Sequence, residues 1–163
     1  MELPPIVRAS SGTVTDYRLR TSYRRLHPDI WIRRDLELDA TTRAIAAWAW
    51  SRQRATLTGY SAAAIWGAKY LPSRANAELV IANRSRPPDG ITIRRRVVRD
   101  DEKTVRRGFC VTIPLRTAFD LCRDLPESDA VEAVDALYQA TGMRKAGLLT
   151  YCGAIKNLRG WGA

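Results

Sequence analysis

"PPDGITIRRRVVRDDEKTVRRG", residues 87–108, is the stretch whose reading decides the fold. Pro87-Pro88-Asp89-Gly90 reads as a turn, because proline presets φ and glycine tolerates the left-handed region. Residues 91–98 then read as a strand, rich in β-branched Ile and Val. Strand alternation puts Ile91, Ile93 and Val97 on a core side. Thr92, Arg94 and Arg96 take the other side, so the spacing predicts that Arg94 and Arg96 project to solvent. Arg95 falls on the apolar parity and is expected to reach out at a sheet edge or to pair with Asp100, Asp101 or Glu102.

Working outward, "AELVIA" (77–82) reads as a strand joined to 91–98 by that turn, and "VRRGFCVT" (105–112) as one or two short strands. Helices flank this strand region. Asp39 is placed to cap a helix over about 40–53, with Ile45, Trp48 and Ala49 on one stripe. "YSAAAIWG" (60–67) is a very apolar helix that Gly67 can end. After the strands come "PLRTAFDLCRD" (114–124), with proline in its first turn, "SDAVEAVDALYQAT" (128–141), with Ser128 as cap, and "RKAGLLTYCGAIKN" (144–157). At the other end, residues 1–12 read as a loose lead-in and 13–23 as a short helix capped by Thr13 or Thr15. Tyr23, Leu26, Ile30 and Ile32 flank a His27-Pro28-Asp29 turn, a β-hairpin decorated by Arg24, Arg25, Arg33 and Arg34. Helices, then strands, then helices predict an α+β fold.

The chain has 163 residues and a formal net charge of +10. Residues 1–60 carry ten arginines against six acids, residues 61–109 eleven basic residues against five acids, and residues 110–163 six of each. The excess therefore sits in the first two thirds, which points to a polyanionic partner. Arginine outnumbers lysine 23 to four, a bias that a GC-rich genome also produces. Arginine identity is therefore weaker support than the charge asymmetry. No run of apolar residues is long enough for a membrane span, and "MELPPIVRASSG" lacks the pattern of a signal peptide. Cys110, Cys122 and Cys152 are widely spaced, no CxxC occurs and His27 is the sole histidine, which argues against a zinc site. No cofactor is expected, and reduced thiols in the cytoplasm are.

Three patterns invite an enzymatic reading. Pro88-Asp89 followed by Asp101-Glu102-Lys103 spells a PD…DxK arrangement, in which two carboxylates hold a divalent ion and a lysine supports the attacking water. Asp89 already has a plain role in its turn, and Asp-Asp-Glu-Lys reads as a polar break rather than a strand, so the pattern is set aside as accidental. "GYSAA" (59–63) imitates a nucleophile elbow, but its only available base, His27, sits in a tight turn; Ser61 is read instead as a helix N-cap. Arg116 and Asp120 lie four apart on a largely buried helix and are expected to form a structural ion pair, unless Arg116 clamps the terminal carbonyls of a neighbouring element.

Taken in order, "YRRLHPDIWIRRD" (23–35), "SAAAIWGAK" (61–69), "RPPDGITIRRR" (86–96) and "VTIPLRTAFDL" (111–121) resemble the N-terminal half of an actinobacterial family. Its members carry a very-short-patch-repair-like endonuclease domain at the C-terminus. The same half is similar to AbiEi-type antitoxins of abortive-infection systems. The resemblance runs from about Tyr23 to Gly160. It implies a partial winged-helix-like element with its hairpin over residues 1–35, then an α+β antitoxin-like domain over 36–163. It also implies DNA contact at the hairpin. The nuclease domain of those relatives would follow the segment matching "NLRGWGA" (157–163); it is expected to be absent here, and none of its catalytic groups is carried over.

These readings converge on a non-enzymatic DNA-binding regulator. Arg24, Arg25, Arg33 and Arg34 are its expected main contacts, extended by Arg18, Arg20, Arg94 and Arg96. A second reading is a protein-interaction module, the partner of a toxin or the detached half of a nuclease, in which Tyr138, Leu148, Leu149 and Tyr151 offer an apolar contact. A third is a stand-alone metal nuclease through Asp89, Asp101 and Lys103.

Overall fold

The computed structural model describes residues 5–82 and 86–159; residues 1–4 of the expected lead-in and the end of the chain from 160 lie outside them. The architecture is α+β, with two sheets and six helices among the described residues. No described helix is long and apolar enough to cross a membrane.

The first sheet is small. β1 (Ile6–Arg8), β2 (Tyr23–His27) and β3 (Ile30–Arg33) lie in the order β1-β3-β2, all antiparallel. The hairpin expected from the sequence is β2–β3, and Asp29 turns it at φ 65°. β1 corrects the reading of residues 1–12 as a loose lead-in: three of those residues pair with β3. The helix before the hairpin, α1 (Asp16–Ser22), is capped by Thr15, whose hydroxyl accepts from the Arg18 N–H.

α2 (Ala40–Trp50) follows, and the Asp39 carboxylate accepts from the Thr42 N–H at 2.7 Å as its cap. Alanines let this helix approach closely on more than one side. Ala46 packs with Ile30 and Ile32 of the hairpin. Ala44 and Ala47 pack with Leu57, Leu79, Ile91 and Val111 of the second sheet. The boundary drawn at residue 35 therefore falls just before a helix that both sheets share.

The second sheet has five strands in the order β6-β5-β4-β8-β7. Its centre is β4 (Thr56–Leu57), antiparallel to β5 (Ala77–Val80) and parallel to β8 (Phe109–Thr112). β6 (Ile91–Ile93) runs parallel to β5, so the Pro-Pro-Asp-Gly turn does not close a hairpin. β7 (Lys103–Arg106) and β8 do form one, through Arg107 and Gly108, both at positive φ. That is the turn geometry that matches the twist of two-residue hairpins. α3 (Gly59–Trp66), α4 (Pro114–Asp124) and α5 (Glu127–Thr141) join in a second core of Tyr60, Ala63, Ala118, Leu121, Ala133 and Leu137. α6 (Lys145–Arg159) lies against α4. Two caps differ from expectation. Ser61 sits inside α3, where its hydroxyl accepts from the Glu78 N–H at 2.8 Å. α5 starts after Pro126, two residues before Ser128.

His27 closes the hairpin's inner end. It is 3% exposed, beside Gly90 and Arg43. Burial first, and the Arg43 charge second, disfavour the imidazolium and lower its pKa from 6.5 to about 4. The unfolded chain thus takes a proton between those values that the folded chain refuses. Stability is fully present above pH 6.5 and falls as pH drops toward 4, by up to about 3 kcal/mol. His27 is the only histidine, so the window from 6.5 down to about 5, above the carboxylate range, reports it alone. Urea melts across that window should show the slope in the native chain and a flat line in His27→Phe; a slope that persists in the variant refutes the assignment.

Candidate nucleic-acid interface

α1 and the hairpin form one basic unit. Residues 13–34 hold Arg18, Arg20, Arg24, Arg25, Arg33 and Arg34 against Asp16 and Asp29. Asp29 is already engaged by Arg8 at 2.7 Å and by Ser10. Leu19 is the buried line of α1, packed with Val7 and Tyr23, so Arg18 and Arg20 flank it in solvent.

Register then sorts the hairpin arginines between two faces. Arg25 lies opposite Trp31 and Arg33 opposite Tyr23, on the face that α1 covers. Arg24 lies opposite Ile32, whose face meets α2, and its guanidinium donates to the Leu36 carbonyl at 3.2 Å. Arg34 donates to the carbonyl of Arg20 at 3.2 Å, which draws it to the end of α1. Arg33 is tied to Asp35 at 2.6 Å. The structure thus groups Arg18, Arg20, Arg25 and Arg34 near α1 and turns Arg24 away from them. Arg18, Arg20 and Arg25 are exposed with no carboxylate partner among the described residues, and Arg24 and Arg34 meet only backbone carbonyls.

Arg94 and Arg96 do not join this surface, which corrects the expectation that both project to solvent. Thr92 lies opposite Glu78, so parity does put Arg94 on the Glu78 side of the sheet, but α3 and α4 cover that side; the strand itself ends at Ile93, and the Arg96 N–H donates to the Arg94 carbonyl in a tight bend. Arg94 turns inward to the Glu78 carboxylate, which is 4% exposed. Arg96 reaches Asp120 at 2.7 Å and both oxygens of Asp124 at 2.7 and 2.8 Å. Arg95 and Val97 are the exposed residues of the stretch, Val97 at 71%.

These contacts belong to a buried chain of alternating charge. The expected pair is present: Arg116 Nε donates to Asp120 at 3.1 Å. Its Nη1 donates to Glu102 at 2.6 Å, and Arg116 is 0% exposed. Asp120 also accepts from Thr58 at 2.7 Å. Glu102 accepts from the Tyr151 hydroxyl at 2.6 Å and the Arg99 N–H at 2.9 Å. Burial by itself would raise the Glu102 pKa, but Tyr151, the Arg99 N–H and Arg116 outweigh it and hold the carboxyl below its usual 4.5. Burial and the Glu102 charge push the Tyr151 phenol well above its ordinary range. Four carboxylates, Glu78, Glu102, Asp120 and Asp124, thereby face four guanidiniums, Arg94, Arg96, Arg99 and Arg116. A buried charge is tolerated only when paired and hydrogen-bonded, so these groups, apart from Arg99 at the exposed end of the chain, are held to their partners inside the fold. The sequence carries one signal for them: Arg116, Asp120 and Asp124 recur every fourth residue along one face of α4.

The residues of the PD…DxK pattern are spoken for or apart. Lys103 pairs with Asp100 at 2.8 Å and Asp101 with Arg99 at 3.0 Å, while Asp89 stays exposed in its turn. Among the described residues no group of three or more His, Cys, Asp or Glu gathers to hold a metal. Of the apolar contact expected on the C-terminal helices, Leu149 is exposed. Tyr138 and Leu148 pack on the α3–α5 core, and Tyr151 is drawn to Glu102. In comparison with known proteins, the chain matches no family model and no curated sequence.

Proposed function

We propose that this chain is a non-enzymatic DNA-binding regulator that grips duplex phosphates through α1 and the β2–β3 hairpin. One observation carries the reading. Five arginines on this unit, Arg18, Arg20, Arg24, Arg25 and Arg34, have no acidic partner among the described residues, whereas Arg94, Arg96, Arg99 and Arg116 are matched to carboxylates. Uncompensated guanidinium groups on a short helix and a two-stranded ribbon suit phosphate contact and groove entry. The antitoxin type of this regulator, and a toxin or nuclease as its protein partner, rest on the four matching sequence segments.

The test is anisotropy of a labelled duplex titrated at several salt concentrations. Changing Arg18, Arg20, Arg25 and Arg34 together to alanine should weaken binding across unrelated sequences. It should also flatten the log–log salt slope by about 0.9 for each phosphate contact removed. Arg24→Ala should act less, because Arg24 faces α2, and Arg144→Ala at the start of α6 should leave binding unchanged. Unaltered affinity in the fourfold variant removes the proposal. Plasmid cleavage by the native chain with Mg²⁺ or Mn²⁺ would replace it with the nuclease reading.

A further inference from the structure

The outer edge of a sheet presents a row of backbone donors and acceptors that another strand can pair. β7 ends the large sheet, and no strand pairs with its outer side among the described residues. The Ile113 N–H donates to the Glu102 carbonyl at 2.9 Å, so these two residues form a bonded pair at the mouth of the β7–β8 ladder. Bonded pairs alternate in an antiparallel ladder. Thr104 with Val111 and Arg106 with Phe109 are therefore bonded too. Lys103 and Val105 fall between them, and their N–H and C=O groups point away from β8.

Natural edges are usually blunted, and this one is little protected. β2, an edge of the small sheet, carries a bulge between Arg25 and His27. β6, the other edge of the large sheet, is three residues long and runs into a bend. β7 keeps four residues in unbroken register and contains no proline. Lys103, the charge that would guard it, is neutralised by Asp100 at 2.8 Å. Val105 is 71% exposed. It shares a face with Cys110 opposite it and with Thr56, whose hydroxyl lies 3.4 Å from the Cys110 thiol. That row gives an incoming side chain a partly apolar seat.

Charge then selects the partner. At the far end of β7, Arg106 and Arg107 are exposed and have no carboxylate partner among the described residues. The Arg106 guanidinium is held over the Trp66 ring, 5.3 Å from its centroid, and so is positioned in advance. We propose that the β7 edge docks an extended acidic peptide segment as a sixth strand of the large sheet. Its carboxylates lie beside Arg106 and Arg107, and an apolar residue lies beside Val105. Backbone pairing supplies affinity and the cations set the preference. A second copy of this chain suits the edge less well, because each copy has a net charge of +10 and would bring its own Arg106 and Arg107 to the seam. Nucleic acid can meet the two arginines, but it has no donors and acceptors at strand spacing for Lys103 and Val105. The residues used are separate from those of the nucleic-acid reading, so either can fail alone.

Amide exchange followed by NMR on the isotope-labelled native chain tests it, with a synthetic peptide of alternating glutamate and valine as the probe. The Lys103 and Val105 amides should exchange fast in the free chain and slow by about tenfold or more at saturating peptide. The same peptide N-methylated throughout should give no protection, and one with lysine in place of glutamate should bind far more weakly. Val105→Pro removes one outward N–H and leaves the β8 pairs in place. It should weaken peptide binding about tenfold, the scale of one backbone hydrogen bond. Arg107→Asn keeps a residue suited to the left-handed turn and should weaken binding by up to about fivefold, the scale of an exposed charge pair. Unchanged thermal midpoints confirm that both variants fold. No protection by the glutamate–valine peptide overturns the proposal, as does equal protection by the methylated one. Protection by duplex DNA and not by peptide would assign the edge to nucleic acid instead.

Discussion

Arg116→Ala is expected to destabilise the chain by about 3–5 kcal/mol, the range for removing one partner of a buried ion pair. Arg116 alone joins Asp120 to Glu102, and all three groups are at most 2% exposed. Without it, Glu102 Oε2 keeps only the Arg99 N–H, while the Tyr151 hydroxyl and the longer 3.5 Å approach of the Arg99 guanidinium serve the other oxygen, Oε1. Arg116→Lys should recover only part of the loss. One ammonium on a flexible stem cannot reproduce a planar fork that spans two carboxylates through different nitrogens. Urea denaturation at neutral pH measures both variants. A loss below about 1 kcal/mol, the level of an exposed pair, would show that water reaches the network.

A comparable loss, about 3 kcal/mol or more, is expected for Gly59→Ala. A methyl group there would lie 1.9 Å from Glu78 Oε2, and Gly59 sits at φ 51°. Left-handed backbone alone costs an L-residue about 1–2 kcal/mol. Displacing the carboxylate costs more, because Glu78 accepts the Tyr60 N–H at 2.8 Å and neutralises Arg94. Glu78 cannot swing away without orphaning both. Glu78→Asp in the Gly59→Ala background shortens the acid by one methylene and should restore part of the stability. If the second change only adds to the first, the clash is not the cause.

These two sites also show what the sequence discloses and what it withholds. α2 and α4 are legible because Asp39 and Pro114 mark their starts. The hairpin is legible because Tyr23, Leu26, Ile30 and Ile32 flank a His-Pro-Asp turn, and Arg116–Asp120 because both residues sit on one helix. β1 is not, since three residues become a strand only through pairing with β3, more than twenty positions away. Arg94 and Arg96 mislead for a related reason. Parity puts Arg94 on the face of Thr92 and Glu78, but it does not reveal that α3 and α4 cover that face. Their partners, Glu78, Asp120 and Asp124, come from β5 and α4, which no local pattern ties to them.

The middle of the large sheet has a consequence of its own. β4 contributes two residues, and a single register pair, Leu57 with Val111, joins it to β8. Backbone bonding is thus thinnest where β5 and β6 meet β8 and β7. The ionic chain runs across the same line, with Arg94, Arg96 and Glu78 on one side and Asp120, Asp124, Arg116 and Glu102 on the other. The two halves of the molecule are thus clasped by side chains where the main chain provides almost no stitching, and electrolyte, which weakens surface attractions, leaves such a sheltered clasp largely untouched.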